Sequence, residues 1–212
     1  MKMKLFAASV ASVVAAGTIL STTARAYALL GYSWATPVVP YYINTANMDL
    51  PTSVIEPAIR VGADAWHNQS GASFAFAFAG FSTQTTNTND GINLVMFRNA
   101  SSGSAIATTY TWFSGNRLID ADMVFWDAGF QFFTGSSGCS GGFYIEDVAT
   151  HEFGHALGLG HSTLTSATMY PSISTCSQQS RTLDPDDIAG VLALYPATAT
   201  PPTPPAHLRI IR

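Results

Sequence analysis

His151-Glu152-Phe153-Gly154-His155-Ala156-Leu157-Gly158-Leu159-Gly160-His161 is the stretch on which the reading of this 212-residue chain turns. It fits H-E-x-x-H-x-x-G-x-x-H, and each fixed position has a mechanical reason. On a helix, residues i and i+4 share a face, so His151 and His155 can point at one ion. Glu152 follows the first ligand, within reach of a water on that ion. Gly158 can take the left-handed conformation that ends a helix and turns the chain back. His161 then arrives as a third ligand from outside the helix. Three imidazoles leave the fourth tetrahedral position open, the form of a catalytic zinc site. Five fixed positions coincide by chance with a probability of roughly 10⁻⁵ in a chain of this length. A helix with incidental histidines is therefore a weak competitor. A zinc site without catalysis is a better one, but it has no use for Glu152.

The rest of the composition frames that site. With 47% hydrophobic and 10% charged residues, the chain can fill the core of one domain, and disorder is excluded over most of it. Lys2 and Lys4 precede the uncharged, mostly apolar run Leu5 to Leu20, and Ala24-Arg25-Ala26 is a small-x-small cleavage signal. Residues 1–26 therefore read as an export signal, with a mature chain starting near Tyr27 and secreted. The apolar run falls short of a membrane span, so no membrane association is expected after cleavage. Without the signal, six arginines face thirteen carboxylates, a net charge of −7. Such a surface repels phosphate backbones and excludes nucleic acid as a partner. Export favours a disulfide between the two cysteines, Cys139 and Cys176, joining the loops before and after the zinc helix. Two free thiols, or one thiolate on the zinc, are the alternatives.

Working outward from the motif, the zinc helix spans Ile145 to Leu157, with Glu146 and Asp147 in its first turn, where negative charge is favoured. A closing helix follows Asp184-Pro185-Asp186-Asp187: Asp184 suits the N-cap, Pro185 the first helical position and Asp187 the third. Its apolar positions Ile188, Val191, Leu192 and Tyr195 face inward. Upstream, Val38 to Asn44 reads as a first strand. Pro51 to Asn68 reads as a helix with the apolar stripe Val54, Ala58, Val61, Ala65 and Trp66. Phe74 to Phe78 alternates large and small residues as a one-faced strand does. Ile92 to Phe97, Ile106 to Trp112 and Met123 to Trp126 are further strands, the last just after Asp120 and Asp122. Gly- and Ser-rich residues 134–142 surround Cys139 as a loop. After Pro196 the composition turns to Ala, Thr and Pro, so residues 197–212 read as an extended tail. This order gives an α/β sandwich with the site at one edge of a twisted sheet.

The long zinc motif resembles that of the metzincin clan, and within it the chain resembles the matrixins, the matrix-metalloproteinase group. Ser162 directly follows the third histidine, as in matrixins. Ala167-Thr168-Met169-Tyr170-Pro171 is similar to the matrixin Met-turn, whose methionine lies beneath the zinc ligands. Leu183-Asp184-Pro185-Asp186-Asp187-Ile188-Ala189-Gly190, with Leu194-Tyr195, is similar to the matrixin C-terminal helix. Tyr41-Tyr42-Ile43-Asn44 and the Trp66 helix resemble the opening strand and first helix. The resemblance covers roughly residues 30 to 196. It implies a metzincin-like catalytic domain over 27–196, an α/β fold whose twisted, mostly parallel sheet carries the zinc-site helix and a C-terminal helix.

It also implies zinc-dependent endopeptidase activity on protein or peptide substrates by a monomer. His151, His155 and His161 would be the ligands, Glu152 the general base and Met169 the floor. Tyr170, Pro171 and Ile173 would wall the pocket for the side chain after the scissile bond. Ile173 stands where matrixins often carry tyrosine, which suggests a more apolar wall. The edge strand near Ile106 and Ala107 would pair with an extended substrate. Two departures matter. No cysteine precedes residue 139, so the inhibitory cysteine of a matrixin propeptide is not expected. No histidine lies between His67 and His151, so the three-histidine structural zinc is not expected either. Thr108 and the Asp120/Asp122 region stand where some of its ligands would be. Asp120, Asp122 or Asp127 could bind calcium, or be plain solvated loop carboxylates. A silent zinc-containing peptide-binding module and a peptidase acting on cell-wall peptides remain the alternatives.

Overall fold

The computed structural model describes residues 25–46 and 49–197. The expected signal up to Ala24 and the expected tail beyond Ala197 lie outside them. The elements run β1 (Ala28–Leu29), β2 (Val38–Asn44), α1 (Thr52–Ser70), β3 (Ala75–Phe81), β4 (Leu94–Arg98), β5 (Ala107–Ser114) and β6 (Arg117–Trp126). They continue as β7 (Phe132–Phe133), β8 (Phe143–Tyr144), α2 (Ile145–Leu157), β9 (Leu159–Gly160) and α3 (Pro185–Leu194). Five strands form the main sheet in the order β3-β2-β4-β6-β5. The first four are parallel and β5 runs antiparallel to β6, which makes β5 an edge. The mostly parallel sheet and the zinc-site and C-terminal helices agree with the fold class expected from the sequence. Among the described residues, no helix is long and apolar enough to cross a membrane.

The inner face of the sheet packs on α1 and α2. Tyr41 of β2 and Phe76 of β3 meet Phe153 of α2, with ring centroids 5.1 and 4.8 Å from it. Phe153 is fully buried, so a variable position of the zinc motif anchors its helix in the core, for about 1.5–3 kcal/mol. Trp66 of α1 is also buried, and its indole N–H donates to the Thr150 carbonyl at 2.9 Å. The buried face of α1 carries Ile55, Ala58, Ile59, Ala63, Ala65 and Trp66. That corrects the apolar stripe read from the sequence: Ala58, Ala65 and Trp66 lie on this face, but Val54 and Val61 are exposed. With so many apolar residues in the helix, two overlapping stripes satisfy the same period. The larger Ile55 and Ile59 decide which faces the core.

The second correction concerns the acidic pair. β6 begins at Arg117 rather than Met123, so Asp120 and Asp122 lie within the strand and both are fully buried. They are not solvated loop carboxylates. Their oxygens hold the loop that crosses the outer face of the sheet. Asp120 Oδ2 accepts the backbone N–H groups of Asp90 and Gly91 at 2.8 and 2.9 Å. Asp122 accepts those of Leu94 and Thr88, each at 2.9 Å. Burial pushes the Asp122 carboxyl up to about 7, with the neighbouring Asp120 adding to the effect. Asp127 lies just past the end of β6. Among the described residues, His151, His155 and His161 are the one group of three or more His, Cys, Asp or Glu residues spaced to hold a metal, while the acidic pair anchors a loop.

Candidate active site

α2 starts on a carboxylate-rich turn that is itself buried. Glu146 accepts the Gly135 N–H at 2.7 Å, Asp147 accepts the Ser180 N–H at 3.0 Å, and the Arg181 guanidinium pairs with Asp147. These contacts tie the loops on either side of the helix to its N-terminus, where negative charge also suits the helix dipole. The same two loops are joined covalently by a Cys139–Cys176 disulfide, as expected from the sequence. At the other end, Gly158 has φ 105°, and its N–H caps the carbonyls of Gly154 and His155. A Cβ there would be both conformationally strained and driven into the Tyr32 carbonyl. The turn at Gly158 lets His161 come back toward the helix.

The three imidazoles converge. Their ring centroids are 4.8 to 5.3 Å apart and one ligand atom from each lies within 4.8 Å of the others. His151 Nδ1 is 2.7 Å from the Thr168 carbonyl, and His155 Nδ1 is 2.8 Å from the Leu159 carbonyl. A carbonyl only accepts, so each Nδ1 carries the proton and each Nε2 presents its lone pair. Desolvation holds both rings down to about 4, and it lowers His161 as well. All three are thus neutral near pH 7, the form that binds a metal. Zinc, which accepts nitrogen ligands in a three-histidine open site, fits this donor set.

Glu152 is buried beside the trio. Burial raises its carboxyl, opposed by His155 and by a hydrogen bond from Thr109. Met169 is also buried, and a Cβ on Gly154 would overlap its sulfur and the Trp66 ring. The lack of a side chain at Gly154 therefore lets α2 settle onto the methionine. The turn around Met169 is held by Asp187 of α3, which accepts the N–H groups of Thr168 (2.7 Å), Met169 (3.1 Å) and Asp184 (2.9 Å). Ser162, after the third histidine, donates to Asp186 of α3 at 2.7 Å.

These groups open onto a cleft of about 580 Å³. Its lining includes His151, Glu152, His155 and His161, and it brings Ile106, Ala107, Tyr170, Pro171 and Ile173 to the same space. Met169 lies outside the lining. β5 begins at Ala107, with Ile106 just ahead of it, and among the described residues pairs only with β6. Ala107, Thr108, Thr109 and Thr111 of β5 line the cleft. Sequence reasoning missed Leu30 and Tyr32, which come from the N-terminal segment to line the cleft, and Thr109 of β5. No pattern in the sequence marks those three. Asp187 was read only as a helix-cap partner; it does complete the capping box, and it also supports the turn at Met169.

The matrixin family model matches residues 33–196. Karilysin of Tannerella forsythia is 31% identical over 178 residues, covering 80% of this chain and 34% of that protein. Human matrilysin is 27% identical over 165 residues, covering 76% of this chain and 58% of the relative. Metalloendoproteinase 1-MMP of Arabidopsis thaliana is 57% identical over a shorter stretch of 51 residues, 14% of its own length. The chain thus spans less than two thirds of each of these relatives. The match to the family model covers the whole sheet, all three helices and the three converging histidines, and on that ground the chain belongs to the matrixin peptidase family.

Proposed function

We propose that the protein is a secreted zinc-dependent endopeptidase acting on protein or peptide substrates as a monomer. Residues 1–26 direct its export, 27–196 form the catalytic domain and 197–212 a Pro-rich tail. The observation that carries this reading is the convergence of three neutral imidazoles, two with their tautomers held by backbone carbonyls, beside a buried carboxylate in an open cleft. His151, His155 and His161 hold the metal. A bound zinc lowers the pKa of water toward about 7 and polarises a carbonyl.

The chain's own groups do the rest. Glu152 takes a proton from the attacking water and passes it to the leaving amine. The free edge of β5, at Ile106 and Ala107, pairs with the extended substrate backbone and fixes its register against the cleft. Tyr170, Pro171 and Ile173 receive the side chain after the scissile bond. Met169 packs under the ligands and keeps water from beneath them.

The test is cleavage of an unfolded protein by the wild type and by Glu152→Ala, each with measured zinc content. The variant should keep its zinc and lose cleavage by at least ~10²-fold, the low end for general acid–base catalysis. A zinc-loaded variant that still cleaves at the wild-type rate would refute the mechanism. Wild-type activity that survives complete zinc removal would refute the metal requirement.

A further inference from the structure

Glu152 needs more than proximity to act as a base. Its carboxylate ends a flexible side chain whose last torsion is broad, and a misaimed oxygen costs rate steeply. Thr109 meets that need from the facing strand. It lies on β5 opposite Met123 of β6, and its hydroxyl is 2.6 Å from Glu152 Oε2. No other described side chain donates to this carboxylate. Strand alternation explains the aim. Thr108 points to the other side of β5, where it accepts the Trp126 indole N–H at 2.9 Å. Thr109 therefore points toward α2. The same hydroxyl is 3.1 Å from the Glu152 backbone carbonyl.

We propose that Thr109 is a positioning residue for the general base: its hydroxyl holds Glu152 Oε2 and leaves Oε1 as the oxygen that exchanges the proton with water and leaving amine. Building on the function proposed above, it adds a division of labour between the two carboxylate oxygens. While Glu152 is ionised, Thr109 O–H donates to Oε2, a charge-assisted bond. When Oε1 carries the water's proton, the weaker acceptor Oε2 can yield the hydroxyl to the Glu152 carbonyl. The hydroxyl thus has an acceptor at both stages of the cycle, and no step leaves it unpaired.

The experiment compares the zinc-loaded wild type with Thr109→Val and Thr109→Ser on a fluorogenic peptide. Val matches Thr in shape and strand preference but has no hydroxyl; Ser keeps the hydroxyl. Thr109→Val should lower kcat ~10- to 150-fold, the range for losing one hydrogen bond to a charged group. Its KM and its zinc affinity, the latter from chelator competition, should stay within ~2-fold because neither depends on proton transfer. Thr109→Ser should return kcat to within ~3-fold of wild type. Infrared difference spectra give a readout independent of turnover: Thr109→Val should shift a carboxylate band that Glu152→Gln removes. An unchanged kcat, an unshifted band, a loss confined to KM or zinc affinity, or failure of Ser to restore kcat would each overturn the assignment. Glu152→Ala separates the two levels. If it is inactive while Thr109→Val keeps wild-type kcat, only the role of Thr109 fails; if Glu152→Ala itself cleaves normally, the underlying mechanism fails.

Discussion

Removing the Cys139–Cys176 disulfide should cost the domain far more than its one bond suggests. The bridge spans a sequence separation of 37 residues. Closing a loop of that size removes ~13 cal/mol/K from the unfolded chain, or ~4 kcal/mol at 25 °C. The folded side changes little in the Cys139→Ser/Cys176→Ser double variant, because other contacts still join the two loops. The Cys176 N–H donates to the Gly142 carbonyl at 2.8 Å, the Gln178 side chain to the Ser136 carbonyl at 2.9 Å, and Arg181 to the Gly135 carbonyl at 2.6 Å. The loss therefore acts through the unfolded state. For a domain of this size it corresponds to a fall of ~8–16 °C in Tm. Urea titrations and thermal melts of the unreduced parent and the double variant, both zinc-loaded, measure it. A double variant within ~0.5 kcal/mol of the parent would refute the entropic argument. It would show that the contacts across the loops already restrain the unfolded chain.

Two further predictions concern the three imidazoles and their support. Asp187→Asn should destabilise the domain by ~2–4 kcal/mol, because the amide cannot accept all three N–H groups that converge on the carboxylate. It should also weaken zinc binding through the Thr168 carbonyl that orients His151; a change below ~0.5 kcal/mol in urea titration would count against this. The imidazoles set the pH dependence. Because the folded pKa values of His151 and His155 are lowered, the neutral form they favour is fully present above ~6.5 and is lost as pH falls through ~4. Zinc affinity of the metal-free protein should thus weaken at most ~30-fold between pH 7 and 5, essentially all of it from His161. Three ordinary imidazoles would weaken it ~10⁴-fold. Dye competition at the two pH values distinguishes these outcomes.

How much was legible in the sequence depends on the range of the interaction. The bounds of α2 and β2 and the start of α3 follow from local signals: a ligand face, a glycine stop, an alternating run, a cap. The disulfide follows from having two cysteines in a chain whose sequence reads as exported. The buried face of α1 was harder, since it is decided where the helix meets α2 and β3. The two-residue strands β1, β7, β8 and β9 are too short to carry any period. Asp120 and Asp122 looked like loop residues because buried carboxylates are rare. What holds them there, the N–H groups of Thr88, Asp90 and Gly91 in the loop over the sheet and of Leu94 in β4, is set by the tertiary fold. Thr109 is the clearest case. One threonine among several in a strand carries no signal until the strand is laid beside Glu152.

The helix bearing the motif does not by itself make the site. The i and i+4 spacing brings His151 and His155 to one face, but each ring still rotates until something holds its Nδ1. For His151 that is the Thr168 carbonyl, whose turn hangs on Asp187 of α3. For His155 it is the Leu159 carbonyl of β9, and β9 is fixed by antiparallel pairing of Leu159 with Leu29 in β1. The two ligands thus depend on opposite ends of the described chain, one on the closing helix and one on the N-terminal strand. A peptide of residues 145–161 would keep all three histidines and lose the Thr168 carbonyl, the β1 strand and the core contacts of Phe153. It should bind zinc far more weakly than the domain, because the ordering that the fold supplies in advance would then be charged to metal binding.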